Sequence, residues 1–199
     1  CYLVGLLNGL HHYRRAYVDL QTLAEEACHI ELDILKEGIG KQDQYMAAYG
    51  GLTVLELDRD GRVVVRPLAP SSGDVAEFVA STHIYYTGSQ RDAREMLVEQ
   101  NQAMQRKDSV DHARVADSLH RIKELGHRIL EAIENSNFDR WGELLDEHWQ
   151  NKKKLSKKIT WSRVDDIYDE VRKRFGVRGG KVIGAGGGGF LMLYVPKQR

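Results

Sequence analysis

The chain has 199 residues, 42% of them hydrophobic, which is enough for one or two domains with a real core. Acids and bases balance at 29 each, so no excess of positive charge points to nucleic acid. No apolar run is long enough for a membrane helix and no basic-then-apolar leader opens the chain. Cys1 and Cys28 show neither disulfide-rich nor Cys/His metal spacing, so the reading is a reducing, cytoplasmic setting without membrane or nucleic-acid partners.

Taken in order, Leu3, Val4, Leu6, Leu7 and Leu10 make a helical stripe over Tyr2–His12. His11, His12, Arg14 and Arg15 follow, where a helix dipole favours cations. Asp19 reads as the N-cap of a second helix that runs to about Lys36, with Leu20, Leu23, Ala24, Ala27, Ile30, Ile34 and Leu35 on one side and Gly38 ending it. A polar loop spans Gly38–Tyr45, then comes the apolar Met46–Tyr49 and the break Gly50-Gly51. Leu52–Leu57 and Arg62–Arg66 flank Asp58-Arg-Asp-Gly61 and predict a hairpin. Pro67–Gly73 reads as a loop and Val75–Thr87 as a strand region leaving through Thr87-Gly88-Ser89, with a domain boundary around 70–90.

Beyond it the periodicity predicts helices over Gln90–Arg106, Val110–Asn135, Phe138–Leu155 and Val164–Phe175, and two β runs, Val182–Ile183 and Phe190–Val195, close the chain. This order predicts an α+β fold, not an alternating parallel one. The chain opens on Cys1 inside a helical pattern, without Met or a polar lead-in, so it is expected to begin partway through a longer protein.

Two stretches carry chemistry. Between the last β runs, every position of 184–189 except Ala185 is glycine. Glycine costs conformational entropy, and a run of it is explained by positive φ angles or by a backbone that approaches another group closely. Successive free amides in such a loop can also cradle an anion. Gly184, Gly186 and Gly189 match the dinucleotide fingerprint in letters, but a β run follows where that motif needs a helix, and Phe190 and Leu191 stand where a Walker loop needs Lys and Ser/Thr. Read alone, a tight strand connection and an anion loop both stay open. The second stretch is Gly40-Lys41-Gln42-Asp43-Gln44, in which Asp43 on its own is most simply a turn-capping loop residue.

Together these motifs carry a resemblance. Lys-Val-Ile-Gly-Ala-Gly-Gly-Gly-Gly-Phe resembles the third signature motif of the GHMP kinases, and Gly40-x-x-Asp43-Gln44 resembles the catalytic-aspartate segment of the family's sugar kinases. Gly-Lys-Gln-Asp-Gln-Tyr is similar to the D-glycero-D-manno-heptose 7-phosphate kinase branch. Ala27-Cys-His-Ile-Glu31, Tyr86-Thr-Gly-Ser-Gln-Arg91 and His148-Trp149 through Ser156 and Ile159 agree with that branch. The resemblance implies a GHMP-kinase-like α+β fold, with residues 1–75 the remainder of an N-terminal domain and 76–199 a C-terminal domain. It also implies that the family's Gly/Ser-rich ATP loop and N-terminal strands lie upstream of Cys1.

The implied activity is ATP- and Mg²⁺-dependent phosphoryl transfer to the anomeric hydroxyl of a sugar phosphate, a reaction governed by positioning and charge stabilisation. Asp43 would accept or orient the hydroxyl proton, and Lys41 would offset phosphoryl charge. Glu31, with Asp33 as rival, would hold Mg²⁺. Gly184, Gly186, Gly187 and Gly188 would approach the nucleotide, and Gln42, Thr87 and Arg91 the sugar. Plain alternatives stand beside these: a solvated loop lysine for Lys41, a surface acid for Glu31, and a solvated helix face for Lys152–Lys154. A fucose- or galactose-type GHMP kinase, or a binding homologue that does not complete catalysis by itself, are the alternative functions, and a homodimer is left open.

Overall fold

The structure is a computed structural model and describes residues 2–89, 102, 104–105, 110–156, 158–184 and 186–197. The chain divides into two compact units, Cys1–Ala69 and Pro70–Arg199. In the first, α1 (Tyr2–Tyr13) and α2 (Leu20–Cys28) form as the apolar stripes predict. Asp19 caps α2 by accepting a hydrogen bond from the Thr22 amide at 2.8 Å, which satisfies an otherwise orphaned donor. The expected helix runs on to Ile34, close to the Lys36 end expected, but not as one α-helix. From His29 to Ile34 the chain widens into a π-helical segment, and the Leu35 amide reaches back five residues to the Ile30 carbonyl at 2.9 Å.

The polar stretch 38–45 departs from the loop expected of it. Gln42 begins a helix, α3 (Gln42–Tyr49), and Asp43 occupies its first turn. Two forces favour this. A carboxylate there complements the helix dipole, and Tyr45, only 2% exposed, packs with Ala24, Cys28 and Val63 in a core that α3 must face. Gly50, at φ 67°, ends α3. The predicted hairpin is present as β1 (Thr53–Leu57) and β2 (Val63–Pro67), antiparallel with Leu57 opposite Val63. Its turn is set by the Asp58 carboxylate, which accepts from the amides of Asp60 at 2.9 Å and Arg62 at 2.8 Å.

In the second unit the strand expected from Val75 is largely a helix, α4 (Ser72–Ser81), and only Thr82–Tyr86 extends as β3. A capping box between Ser71 and Asp74 starts α4, and Phe78 packs its ring 4.7 Å from that of Trp141. Then come α5 (Val110–Glu134), α6 (Phe138–Lys152), α7 (Ser162–Phe175), β4 (Gly179–Val182) and β5 (Phe190–Tyr194). Most of the helix expected over 90–106 lies outside the described residues. The sheet order is β3-β5-β4, antiparallel throughout, so the last strand inserts between two earlier ones. Val115, Trp149, Tyr168, Val182, Leu191 and Leu193 fill one core, while Phe138, Trp141, Leu144, Leu145 and Tyr194 fill another. The fold is α+β. Among the described residues no helix is long and apolar enough to cross a membrane.

One packing contact decides where the glycine loop goes. A Cβ on Gly179 would strike the Gly142 carbonyl, and one on Gly142 would strike the Tyr194 ring. Helix α6 therefore rests on β4 at backbone distance, which no side chain at either position would allow.

Candidate functional site

In the first unit, Asp43 and Gln42 stand exposed at the start of α3. Lys41, half-buried just before it, donates from Nζ to the Gly61 carbonyl in the hairpin turn at 2.6 Å. This bond ties the start of α3 to the β1–β2 turn and fixes where Asp43 emerges. The neighbouring Gln44 is 1% exposed, and its Nε2 donates to Glu31 Oε2. Gln44 is a residue that motif reading passed over. It joins the π-helical segment to α3, so the candidate metal carboxylate and the candidate base sit on two elements clamped together. Its Oε1 is buried without a hydrogen-bond partner.

Among the described residues no group of three His, Cys, Asp or Glu side chains is arranged to hold a metal ion. Glu31 still suits Mg²⁺, which takes one or two carboxylates and fills its remaining positions from phosphate oxygens and water. Gln44 engages one oxygen of Glu31 and leaves the other. Asp33, the rival, is exposed and pairs with His29 Nδ1 at 2.9 Å. Behind them burial pushes the Cys28 thiol up, and burial with the nearby Glu25 carboxylate pushes the Tyr45 hydroxyl up to about 12, so neither is a ready acid or nucleophile at neutral pH.

In the second unit, Gly184, Gly186, Gly187, Gly188 and Gly189 all adopt positive φ, from 73° at Gly187 to 156° at Gly188. The run of glycines is a conformational requirement here, because this path is closed to other residues without strain. Thr87 is brought to the loop: its amide and its hydroxyl both donate to the Gly189 carbonyl at 2.9 Å. From the other side the Ile159 carbonyl accepts from the Gly187 amide at 2.7 Å. A cavity of about 520 Å³ opens against the sheet, lined by His83, Tyr85, Ile167, Phe175 and Leu191 with Thr87, and its apolar wall offers contact area more than charge. Arg91 lies outside the described residues.

The Lys152–Lys154 run is not a uniform solvated face. Lys154 is exposed, whereas Lys153 pairs with Asp165 at 3.2 Å and lies 5.8 Å from the Trp149 ring centre. Lys152 is half-buried and donates to the Gly184 carbonyl of the glycine loop. Burial and the nearby Lys181 ammonium pull Lys152 down to about 8. Burial, with both lysines adding to it, pulls His148 down to about 3.

Known proteins share this architecture. Residues 129–199 match the family described as GHMP kinases C terminal. The D-glycero-alpha-D-manno-heptose 7-phosphate kinase of Campylobacter jejuni is 28% identical over 97% of this chain, which spans 55% of that protein. The L-fucokinase/L-fucose-1-P guanylyltransferase of Bacteroides fragilis is 29% identical over 80% of this chain and 16% of its own length. The crystal structure of a D-glycero-D-manno-heptose 1-phosphate kinase from Bacteroides thetaiotaomicron superposes with a TM-score of 0.63 at 24% identity, over 96% of this chain and 50% of that one. That likeness is one of fold. The relatives are sugar kinases, and this chain spans about half, or less, of their length.

Proposed function

We propose that the protein carrying this chain is an ATP-dependent GHMP sugar kinase that phosphorylates the anomeric hydroxyl of D-glycero-D-manno-heptose 7-phosphate in the cytoplasm. The observation that carries the reading is that a heptose 7-phosphate kinase aligns with 97% of the chain, through both units, not through the C-terminal domain alone. In this reading the first unit is the remainder of an N-terminal GHMP domain.

Asp43, exposed on the first turn of α3, holds the sugar hydroxyl by hydrogen bond and takes its proton as the oxygen attacks the γ-phosphorus. A carboxylate is a weak base, so its contribution is chiefly placement. Lys41 braces Asp43 from the hairpin turn and contributes positive charge beside the transferring group. Gln42 meets the sugar on the same exposed turn. Glu31 would hold Mg²⁺, which neutralises phosphate charge when bound. The backbone of the glycine loop lies against the nucleotide phosphates where a side chain would intrude.

The test is direct. The full-length protein is incubated with ATP and, separately, heptose 7-phosphate, fucose and galactose, and the new phosphate is located by ³¹P NMR. A resonance on the anomeric oxygen of the heptose alone supports the reading. Transfer to fucose or galactose instead moves the protein to another GHMP branch, and no transfer to any sugar leaves a binding homologue.

A further inference from the structure

Three basic side chains that this mechanism does not use converge between β4 and α6. His148 and Lys152 are four residues apart on one face of α6. Lys181 lies two residues after Gly179 in β4 and therefore on the same sheet face, the one that meets α6 at Gly142. Helix and strand run side by side from the Gly142–Gly179 contact to the bond between Lys152 and the Gly184 carbonyl. Ten helical residues and five extended ones cover about 15 and 17 Å, so the two paths match in length and Lys181 falls alongside His148.

The three groups lack negative partners. The acids of this region are committed elsewhere: Asp146 accepts from the Tyr168 hydroxyl and pairs with Arg172, both at 2.9 Å, Glu147 pairs with Arg128 at 3.1 Å, and Asp165 pairs with Lys153 at 3.2 Å. Among the described residues, neither Lys152 nor Lys181 has a carboxylate within ion-pair distance, and His148 Nδ1 is buried with no hydrogen-bond partner. The lowered proton affinities of all three are the electrostatic mark of crowded, partly desolvated basic groups. Alongside them Gly186 and Gly188 are buried, and among the described residues their amides have no backbone acceptor. Cations without a counter-charge, and amides without a backbone acceptor, cost free energy in a half-buried place that a bound anion would recover.

We propose that Lys152, Lys181 and His148, with the backbone of Gly184 and Gly186–Gly189, form a phosphoryl-binding site. Two ammonium groups match the charge of a phosphate dianion, and His148, in the tautomer with hydrogen on Nδ1, donates to one of its oxygens. The site stands on the cluster geometry, while assigning its ligand to a kinase substrate rests on the function proposed above. The phosphate can come from the sugar phosphate or from the nucleotide.

Calorimetric titration of the full-length protein with inorganic phosphate, ADP and mannose 6-phosphate separates the sources. Lys152→Gln and Lys181→Gln are each expected to weaken inorganic phosphate at least tenfold, and Lys154→Gln, on the exposed side of the same helix end, to change it less than twofold. Parallel weakening of mannose 6-phosphate with ADP unchanged assigns the site to the sugar phosphate, and the reverse assigns it to the nucleotide. Binding of all three probes by both Gln variants within twofold of wild type overturns the proposal. So does a wild-type protein that binds none of them.

A second measurement does not depend on the variants folding. With reductively ¹³C-methylated wild-type lysines, the resonance titrating at the lowest pH should move to a higher midpoint on adding phosphate, and an unmoved midpoint overturns the proposal. Lysine-dependent phosphate binding in a protein that phosphorylates no sugar would sink the kinase function and keep this site. Heptose phosphorylation at wild-type KM by both Gln variants, with phosphate affinity unchanged, would do the opposite.

Discussion

The two units present their candidate residues by different means. In Cys1–Ala69 the groups are side chains aimed by polar ties: Lys41 to the Gly61 carbonyl, Gln44 to Glu31, and a buried Tyr45 beneath them. In Pro70–Arg199 the central feature is backbone, and it is aimed by the absence of side chains: Gly142 against Gly179, and a loop of left-handed glycines pinned by Thr87 and Ile159. A site made of side chains loses chemistry when a residue is truncated. One made of backbone loses shape when an atom is added.

Substitutions can break that contrast, and the largest effect is expected at Asp43. Asp43→Asn keeps the size and the exposed position, so the melting temperature should stay within about 1–2 °C while kcat falls on the order of 10²–10⁴-fold. Melting curves alongside a coupled ADP-release assay check both, and near wild-type turnover would remove Asp43 from the chemistry. Gly179→Ala should do the reverse, destabilising by about 3 kcal/mol or more, because the added methyl meets the α6 backbone, which has no rotamer to yield. Urea unfolding measures it.

Gly186→Ala should cost about 1–3 kcal/mol, since φ there is 104° and Ile159 crowds the new methyl. It should also raise the KM for ATP more than it lowers the melting temperature would suggest. Gln44→Ala should cost about 1–3 kcal/mol by leaving Glu31 without its buried donor, and should increase the Mg²⁺ concentration needed for half-maximal rate.

The last expected effect is a pH dependence. His148 is held at about 3 in the folded chain against an ordinary value near 6.5, so between those values the unfolded state binds the extra proton. Stability should therefore fall as pH drops from about 6.5 towards 3, and His148→Gln should flatten that part of the curve. Melting temperatures at half-unit pH steps are the check, and an unchanged slope in the variant would mean that His148 titrates normally.

How much of this could be read beforehand depended on how local each cause was. Asp19 as a cap, the Asp58–Gly61 turn and the helices of residues 110–175 are set by residues within a few positions of one another, and the expected elements are there. Val75–Thr87 misled because β-branched and aromatic residues crowd it. The decisive local signal was the Ser71–Asp74 capping box, and the tertiary one was Phe78 packing on Trp141. Residues 38–45 misled for a similar reason, since Tyr45 needs α2 and β2 beside it before a helix is favoured. The motifs pointed to Asp43 and to the glycine loop. They said nothing of His148 with Lys181, or of Gln44 with Glu31, because those pairings exist only once elements distant in the chain have packed.

The widened turn at His29–Ile34 has its own consequence. A helix that takes one residue too many per turn shifts the angular phase of everything beyond it by about 100°. Glu31 and Asp33 therefore do not continue the faces that α2 began, and Glu31 points at Gln44 because of that surplus residue. Excising a single residue from this segment would close the turn, swing the carboxylate away from its clamp, and part the candidate metal ligand from the candidate base without touching either.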